Sequence, residues 1–199
     1  MIKYLLLPIL IWTFGIAKAQ QADERAVINL MVRQNHDPAV YYSSGASMAP
    51  WCVRYCDSVL TNDHQKIISL SPDDKKEFTA KLKTAEAVYA WPNGYFANMV
   101  PADSMKRIFR DTSLGWRYFK QKYSGRICTI TKPVFIHNNT ICLVTYTESA
   151  NYTDYNNKQQ VEWEKRYGEA GSFGFDIRIY VKNSSGEWEL KGLLLKEIS

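Results

Sequence analysis

Apolar positions recur at helical spacing through the first part of the chain and alternate, strand-like, beyond Gly125. Between Asp23 and His36, the residues Val27, Ile28, Met31 and Val32 fall on one helical stripe, with acids in the first turn and Asp37-Pro38 as the stop. Tyr41 to Ala49, rich in Ser, Gly and Tyr, reads as a loop, and Pro50 to Leu60 as a helix or irregular turns. Ser71-Pro72-Asp73-Asp74 is a helix start: a serine to cap open N–H groups, a proline with its φ already set, and two carboxylates at the positive dipole end. It predicts a helix from Pro72 to about Ala90 that buries Phe78, Leu82, Ala85 and Tyr89 and turns Lys75, Lys76, Glu77, Lys81 and Lys83 to water. Trp91-Pro92-Asn93-Gly94 has the chemistry of the turn that ends it. A further stripe, Met105, Ile108, Phe109, Thr112, Trp116, Phe119 and Tyr123, predicts a helix from Ala102 to Tyr123 with a kink or break at Gly115.

The strand-like part contains two hairpins. Ile127 to Ile136 and Ile141 to Ser149 are rich in β-branched and aromatic residues and flank Asn138-Asn139, a pair suited to the positive φ angles of a type I′ turn. Pro133 lies inside the first run and marks an edge strand or a bulge, since proline cannot donate to the ladder. With a two-residue turn, Cys142 faces Phe135 and Cys128 faces Ser149, which puts the two cysteines on opposite faces of the sheet and too far apart to bond. Phe173 to Lys182 and Glu187 to Leu195 make the second hairpin around Asn183-Ser184-Ser185-Gly186. Phe175, Ile177, Ile179 and Val181 share one of its faces, Arg178 and Tyr180 the other. The expected fold class is α+β. N-terminal helices (20–124) would pack on one face of a C-terminal antiparallel sheet (125–199) of about four strands, in a single domain.

The hairpins are joined by Ala150 to Ser172, too long for an ordinary connection. Tyr152, Tyr155, Trp163 and Tyr167 sit there among Asn151, Asn156, Asn157, Gln159 and Gln160. Rings that offer contact area at low entropy cost, beside amides that adapt their hydrogen bonds, make a surface suited to glycans or peptides. The alternative is a hairpin extension that turns at Asn156-Asn157 and packs Val161 and Trp163 inward.

Composition adds a location. Lys3, the apolar run Tyr4 to Ile16 and the small residues of Ala17-Lys18-Ala19 have the order of a secretory signal peptide, with cleavage expected after Ala19. The run is short for a membrane anchor and is interrupted by Pro8 and Gly15, and no later segment is long and apolar enough to span. A secreted or periplasmic protein is expected. The leader carries Lys3 and Lys18 and no acid, so the net charge of +5 falls to +3 on its removal. An oxidising compartment turns the four cysteines toward disulfides: the local bond between Cys52 and Cys56 is preferred, and bonds from that segment to the sheet or a fully reduced set are the alternatives.

Positive charge concentrates in one place: Lys106, Arg107, Arg110, Arg117, Lys120, Lys122 and Arg126 stand against only Asp103 and Asp111. A basic patch with interleaved aromatics suits a polyanion, and an amphipathic helix with solvated cations accounts for the same pattern. Export argues against nucleic acid as the partner. No metal site is expected, because the Cys52-x-x-x-Cys56 pair has no second ligand pair and His36, His64 and His137 are scattered. No cofactor is expected either, since nucleotide-binding glycine motifs are missing, and so are the hydrolase elbow and the paired zinc-binding histidines. Asn138, Asn151 and Asn183 open glycosylation sequons in expected turns or loops.

Gly115-Trp116-x-x-Phe119, Tyr123, Thr131-Lys132-Pro133-Val134-Phe135, Ile141 to Tyr146, Gly171-x-x-Gly174, Gly186-x-Trp188 and Ile198-Ser199 form a series that resembles uncharacterised exported bacterial proteins. The resemblance is confined to the C-terminal part. It implies an α+β fold and export, and brings no activity or catalytic residue. The function expected is that of a non-catalytic binding or interaction domain for a protein, peptide or glycan. The alternatives are a small secreted hydrolase using Cys52 or the Glu162/Glu164 region, and an accessory component of a cell-envelope complex.

Overall fold

Two short strands that carry no readable alternation turn the expected antiparallel sheet into a mixed one. The computed structural model of the protein describes residues 6–35, 40–46, 48, 50–61, 68–85, 89–110, 112–123, 125–167 and 171–198. Its elements in chain order are α1 (Leu6–Asn35), β1 (Tyr41–Ser43), β2 (Gly45–Ala46), α2 (Pro50–Thr61), α3 (Pro72–Ala85), β3 (Tyr89–Ala90), β4 (Met99–Val100), α4 (Ala102–Arg110) and α5 (Thr112–Tyr123). After them come β5 (Arg126–Ile130), β6 (Val134–Ile136), β7 (Ile141–Asn151), α6 (Lys158–Tyr167), β8 (Gly171–Lys182) and β9 (Trp188–Ile198). The class is α+β, with most helices ahead of the long strands.

The main sheet has seven strands in the order β4-β1-β5-β7-β8-β9, with β6 also paired to β7. β1 runs parallel to both β4 and β5, whereas β5, β7, β8 and β9 form an antiparallel meander. The expectation of about four antiparallel strands is therefore corrected to a larger, mixed sheet. β1 and β4, three and two residues long, are too short for alternation to register. The segment read as a loop at Tyr41 to Ala49 supplies β1 and also β2, which pairs with β3 in a separate two-stranded sheet.

Pro133 does mark a bulge, and the bulge resets the faces. Ile130 pairs with Tyr146 and Val134 with Leu143, so Thr131, Lys132 and Pro133 stand against only Val144 and Thr145. Thr131 stitches the interruption: its N–H reaches Thr145 O at 3.1 Å, and its Oγ1 accepts from Thr145 N at 3.0 Å. Phe135 faces Cys142 as expected, but Cys128 faces Glu148 and not Ser149. Cys128 and Cys142 consequently point to the same face, contrary to the uninterrupted hairpin register.

Both faces of the sheet are covered. On one, Val134, Leu143, Phe175, Ile177 and Ile179 pack beneath Val53 and Cys56 of α2 and Phe78 and Leu82 of α3. On the other, Cys128, Ile130, Phe135, Val144 and Tyr180 meet Val27, Ile28 and Met31 of α1, with Trp91 and Phe96. The expectation of helices on a single face is thus corrected by α1, which is clasped at Asp23 by Lys182 Nζ (2.6 Å) and Trp188 Nε1 (3.0 Å). The α4–α5 pair adds a third cluster, Met105, Trp116, Phe119 and Tyr123 against Val100 and Ile127.

Several helix boundaries move. α3 ends at Ala85 and not near Ala90, because Tyr89 and Ala90 are recruited into β3 and Tyr89 packs with Trp91. The stripe from Ala102 to Tyr123 divides between Arg110 and Thr112, while Gly115, the expected break, lies buried inside α5. The segment from 150 to 172 is neither a long loop nor a hairpin extension. β7 continues through Asn151, α6 occupies Lys158–Tyr167, and β8 begins at Gly171.

Candidate functional site

Asn157 starts α6 as its cap, accepting on Oδ1 from Gln159 N at 3.0 Å and Gln160 N at 3.3 Å. Gln160 Oε1 in turn accepts from Asp154 N at 2.7 Å, which ties the connecting residues 152–157 back onto the first turn of the helix. On this ordered corner Tyr152 is 61% exposed and Trp163 51%, whereas Tyr155 is half-buried against the α4–α5 cluster. The candidate aromatics therefore divide: Tyr152 and Trp163 are exposed, and Tyr155 packs inward. The inward packing of Trp163 foreseen for a hairpin extension is corrected, because a helical Val161 takes the half-buried position while Trp163 faces out. The side chain of Tyr167 lies outside the described residues.

The basic patch adjoins this corner. Lys120 Nζ donates to Thr153 O at 2.5 Å, and Asn151 N to Gly125 O at 3.0 Å, fixing the residues around Tyr152 to the end of α5. Arg107, Arg110 and Arg117 are exposed, and Lys106 forms a solvated pair with Asp103 at 3.6 Å. The Arg107 guanidinium lies 4.8 Å from the centre of the Tyr118 ring, where Lys122 also approaches to 5.7 Å. Lys120 and Gly125 thus join two regions that are separate in sequence, the end of α5 and the residues around Tyr152.

The sequon at Asn151 is closed by the fold. Asn151 is buried and its Oδ1 accepts from Thr153 N at 3.0 Å. Asn138 is exposed at a hairpin tip, and Asn183 Oδ1 organises its own turn by accepting from Ser185 N and Glu187 N.

Cys56, Cys128 and Cys142 are all buried, and no two described cysteines pair. The Cys52 side chain lies outside the described residues, so the Cys52–Cys56 link is outside them too. Cys128 Sγ meets Tyr146 Oη at 2.8 Å, and Tyr146 donates to Glu148 Oε2, which is ion-paired to Arg126 through its other oxygen. Burial pushes the Cys142 thiol well up, which suppresses the thiolate needed of a nucleophile. Glu162 is exposed on α6 and the Glu164 side chain is outside the described residues. Among the described residues no group of histidine, cysteine and carboxylate side chains has the geometry of a metal site. His36 and His64 fall outside them.

One polar cluster escaped the sequence reading. Asp74 closes a reciprocal cap, accepting from Ser71 N at 3.0 Å and Ser71 Oγ at 2.6 Å while Asp74 N donates to Ser71 Oγ. Its other oxygen is 2.8 Å from His137 Nδ1. A carboxylate can only accept, so Nδ1 carries the proton. Hydrogen bonds from Ser71 and then His137 hold the Asp74 carboxyl below the ordinary carboxylate range. His137, Asn138 and Asn139 all have positive φ, at 53°, 54° and 60°. Three consecutive left-handed residues without a glycine are strained, and α3 holds them: Glu77 Oε2 accepts from His137 N, and Lys81 Nζ donates to Phe135 O at 2.7 Å. Glu77 and Lys81, expected simply to face water, are instead the contacts that dock the hairpin on α3. The Ser71 cap and the Asn138-Asn139 turn were each visible in sequence, but nothing local signals a contact across 63 positions.

No family model, no curated protein and no solved structure matches the chain.

Proposed function

We propose that this is an exported, non-catalytic binding domain whose ligand surface is the corner bearing Tyr152 and Trp163, with the cations of α4 and α5 alongside. The carrying observation is the exposure of both rings on a corner whose backbone is tied down at Asp154, Thr153 and Asn157. A backbone that is already ordered loses little entropy when the rings it carries are contacted, which favours recognition. Lys120, bonded to Thr153 O, and the exposed Arg117 on the same helix favour a ligand that carries negative charge, an acidic glycan or an acidic peptide. Export rests on the leader-like residues 1–19. Among the described residues no helix is long and apolar enough to cross a membrane.

Glycan arrays and peptide pull-downs with the purified protein test this reading. An acidic glycan or peptide should be retained, with affinity about ten-fold lower in Tyr152→Ala and in Trp163→Ala and reduced by added salt. Retention of no ligand, or retention unchanged by both substitutions, overturns it. Mass spectrometry of the exported protein should find Gln20 as its first residue, and an intact leader would refute the export step.

A further inference from the structure

At the opposite end of β5 from that corner, the bulge at Thr131 to Pro133 leaves a cleft of about 430 Å³ between β6, the last turns of α3 and the small β2–β3 sheet. Its volume is within the range of small-molecule sites, roughly 300–1,000 Å³. The lining is apolar at Ala46, Pro133, Val134 and Phe135, with the Tyr89 ring at one side. Among the described residues two cations line it, Lys81 and Lys132, and no carboxylate does.

Both ammonium groups are placed. Lys81 spends two of its three protons on Glu77 Oε1 (2.7 Å) and Phe135 O (2.7 Å), and one proton remains. Lys132 sits 4.8 Å from the centre of the Tyr89 ring, a contact that orders the side chain and leaves its N–H donors open. The charge on offer is limited, because Glu77 already shares Lys81, and the Lys132 field reaches Glu24, one turn along α1 from the lining residue Gln20. Two ammonium groups beside an apolar wall, with Lys81 already shared, suit a carboxylate.

We infer that this cleft is a binding site for a small organic monoanion, a carboxylate attached to a planar apolar body. The carboxylate takes the open protons of Lys132 and Lys81, and the body lies along the β6 edge at Pro133 and Val134, beside Tyr89. The site is separate from the Tyr152 and Trp163 surface and does not depend on the function proposed for that surface.

Titration calorimetry with 2-naphthoate, its uncharged relative 2-naphthamide and inorganic phosphate tests the inference. Naphthoate should bind with a Kd of about 1 mM or tighter, and naphthamide and phosphate at least about five-fold more weakly. Lys132→Gln should weaken naphthoate about five-fold and Lys132→Arg should restore it, whereas Lys76→Gln, an exposed lysine on α3 remote from the lining, should change nothing. Lys132 is itself exposed, so its replacement leaves the core intact. Equal binding of acid and amide, phosphate binding as tight as naphthoate, an unchanged Lys132→Gln variant, or no naphthoate binding at about 1 mM would each overturn the assignment.

Discussion

Gly125 adopts φ +83° where α5 gives way to β5, and a Cβ there would stand 3.2 Å from Asn151 O and 3.2 Å from Lys120 Cγ. Gly125→Ala should therefore cost about 2 kcal/mol, read from the urea midpoint, because it adds strain and crowding together. Asp74 answers for both a helix cap and a hairpin contact, so Asp74→Ala should destabilise by about 1–2 kcal/mol in the same measurement. The pH dependence has a definite sign. A carboxyl held below its unfolded value stabilises the fold above pH 4 or so and loses that contribution as pH falls through its native pKa. Asp74→Asn should accordingly be less stable at neutral pH and show a shallower acid limb, when midpoints are compared from about pH 6 to pH 2. The buried Cys128 and Cys142 should resist alkylation in the native protein and react fully in denaturant, followed by mass spectrometry.

Among the elements, the long ones were legible and the short ones were not. Val27, Ile28 and Met31 of α1 and Phe78 and Leu82 of α3 are buried where helical spacing put them, and β8 divides into Phe175, Ile177 and Ile179 on one face and Tyr180 on the other. These stripes are dictated by periodicities that persist over several turns or strand pairs. β1 and β4 exist only because β5 and each other supply their hydrogen bonds, and no local pattern can announce them. The end of α3 is hidden from the sequence for a similar reason: pairing with β2 captures Tyr89 from the helix, whose propensity would carry it on. For the candidate surface, sequence supplied the residues but not the company they keep. The bond from Lys120 to Thr153 joins the basic patch to the aromatic corner across 33 positions. Disrupting the docking of α3 on the hairpin should show that element contacts, not turn chemistry alone, hold the left-handed tip. Glu77→Ala should accelerate amide exchange from His137 to Thr140 ahead of the rest of β7.

At the scale of the molecule, the central strands are covered on both sides by two cores that share one sheet, with the α4–α5 cluster as a third. Ile177, fully buried under α2 and α3, should cost about 3 kcal/mol when replaced by alanine. Asp23→Ala should lower the thermal midpoint by releasing Lys182 and Trp188, the clasp that seats α1 on the opposite face. The bulge at Thr131 to Pro133 bears on both cores at once. Because it decides which side of the sheet Cys128 and Ile130 face relative to Val134 and Ile136, a single deletion there would invert one half of the hairpin against the other. Two of its residues, Lys132 and Pro133, also line the cleft. Its dimensions can therefore drift over evolutionary time by exchange of side chains but not by gain or loss of residues, and any lineage that reshapes the cleft must do so at constant chain length across this segment.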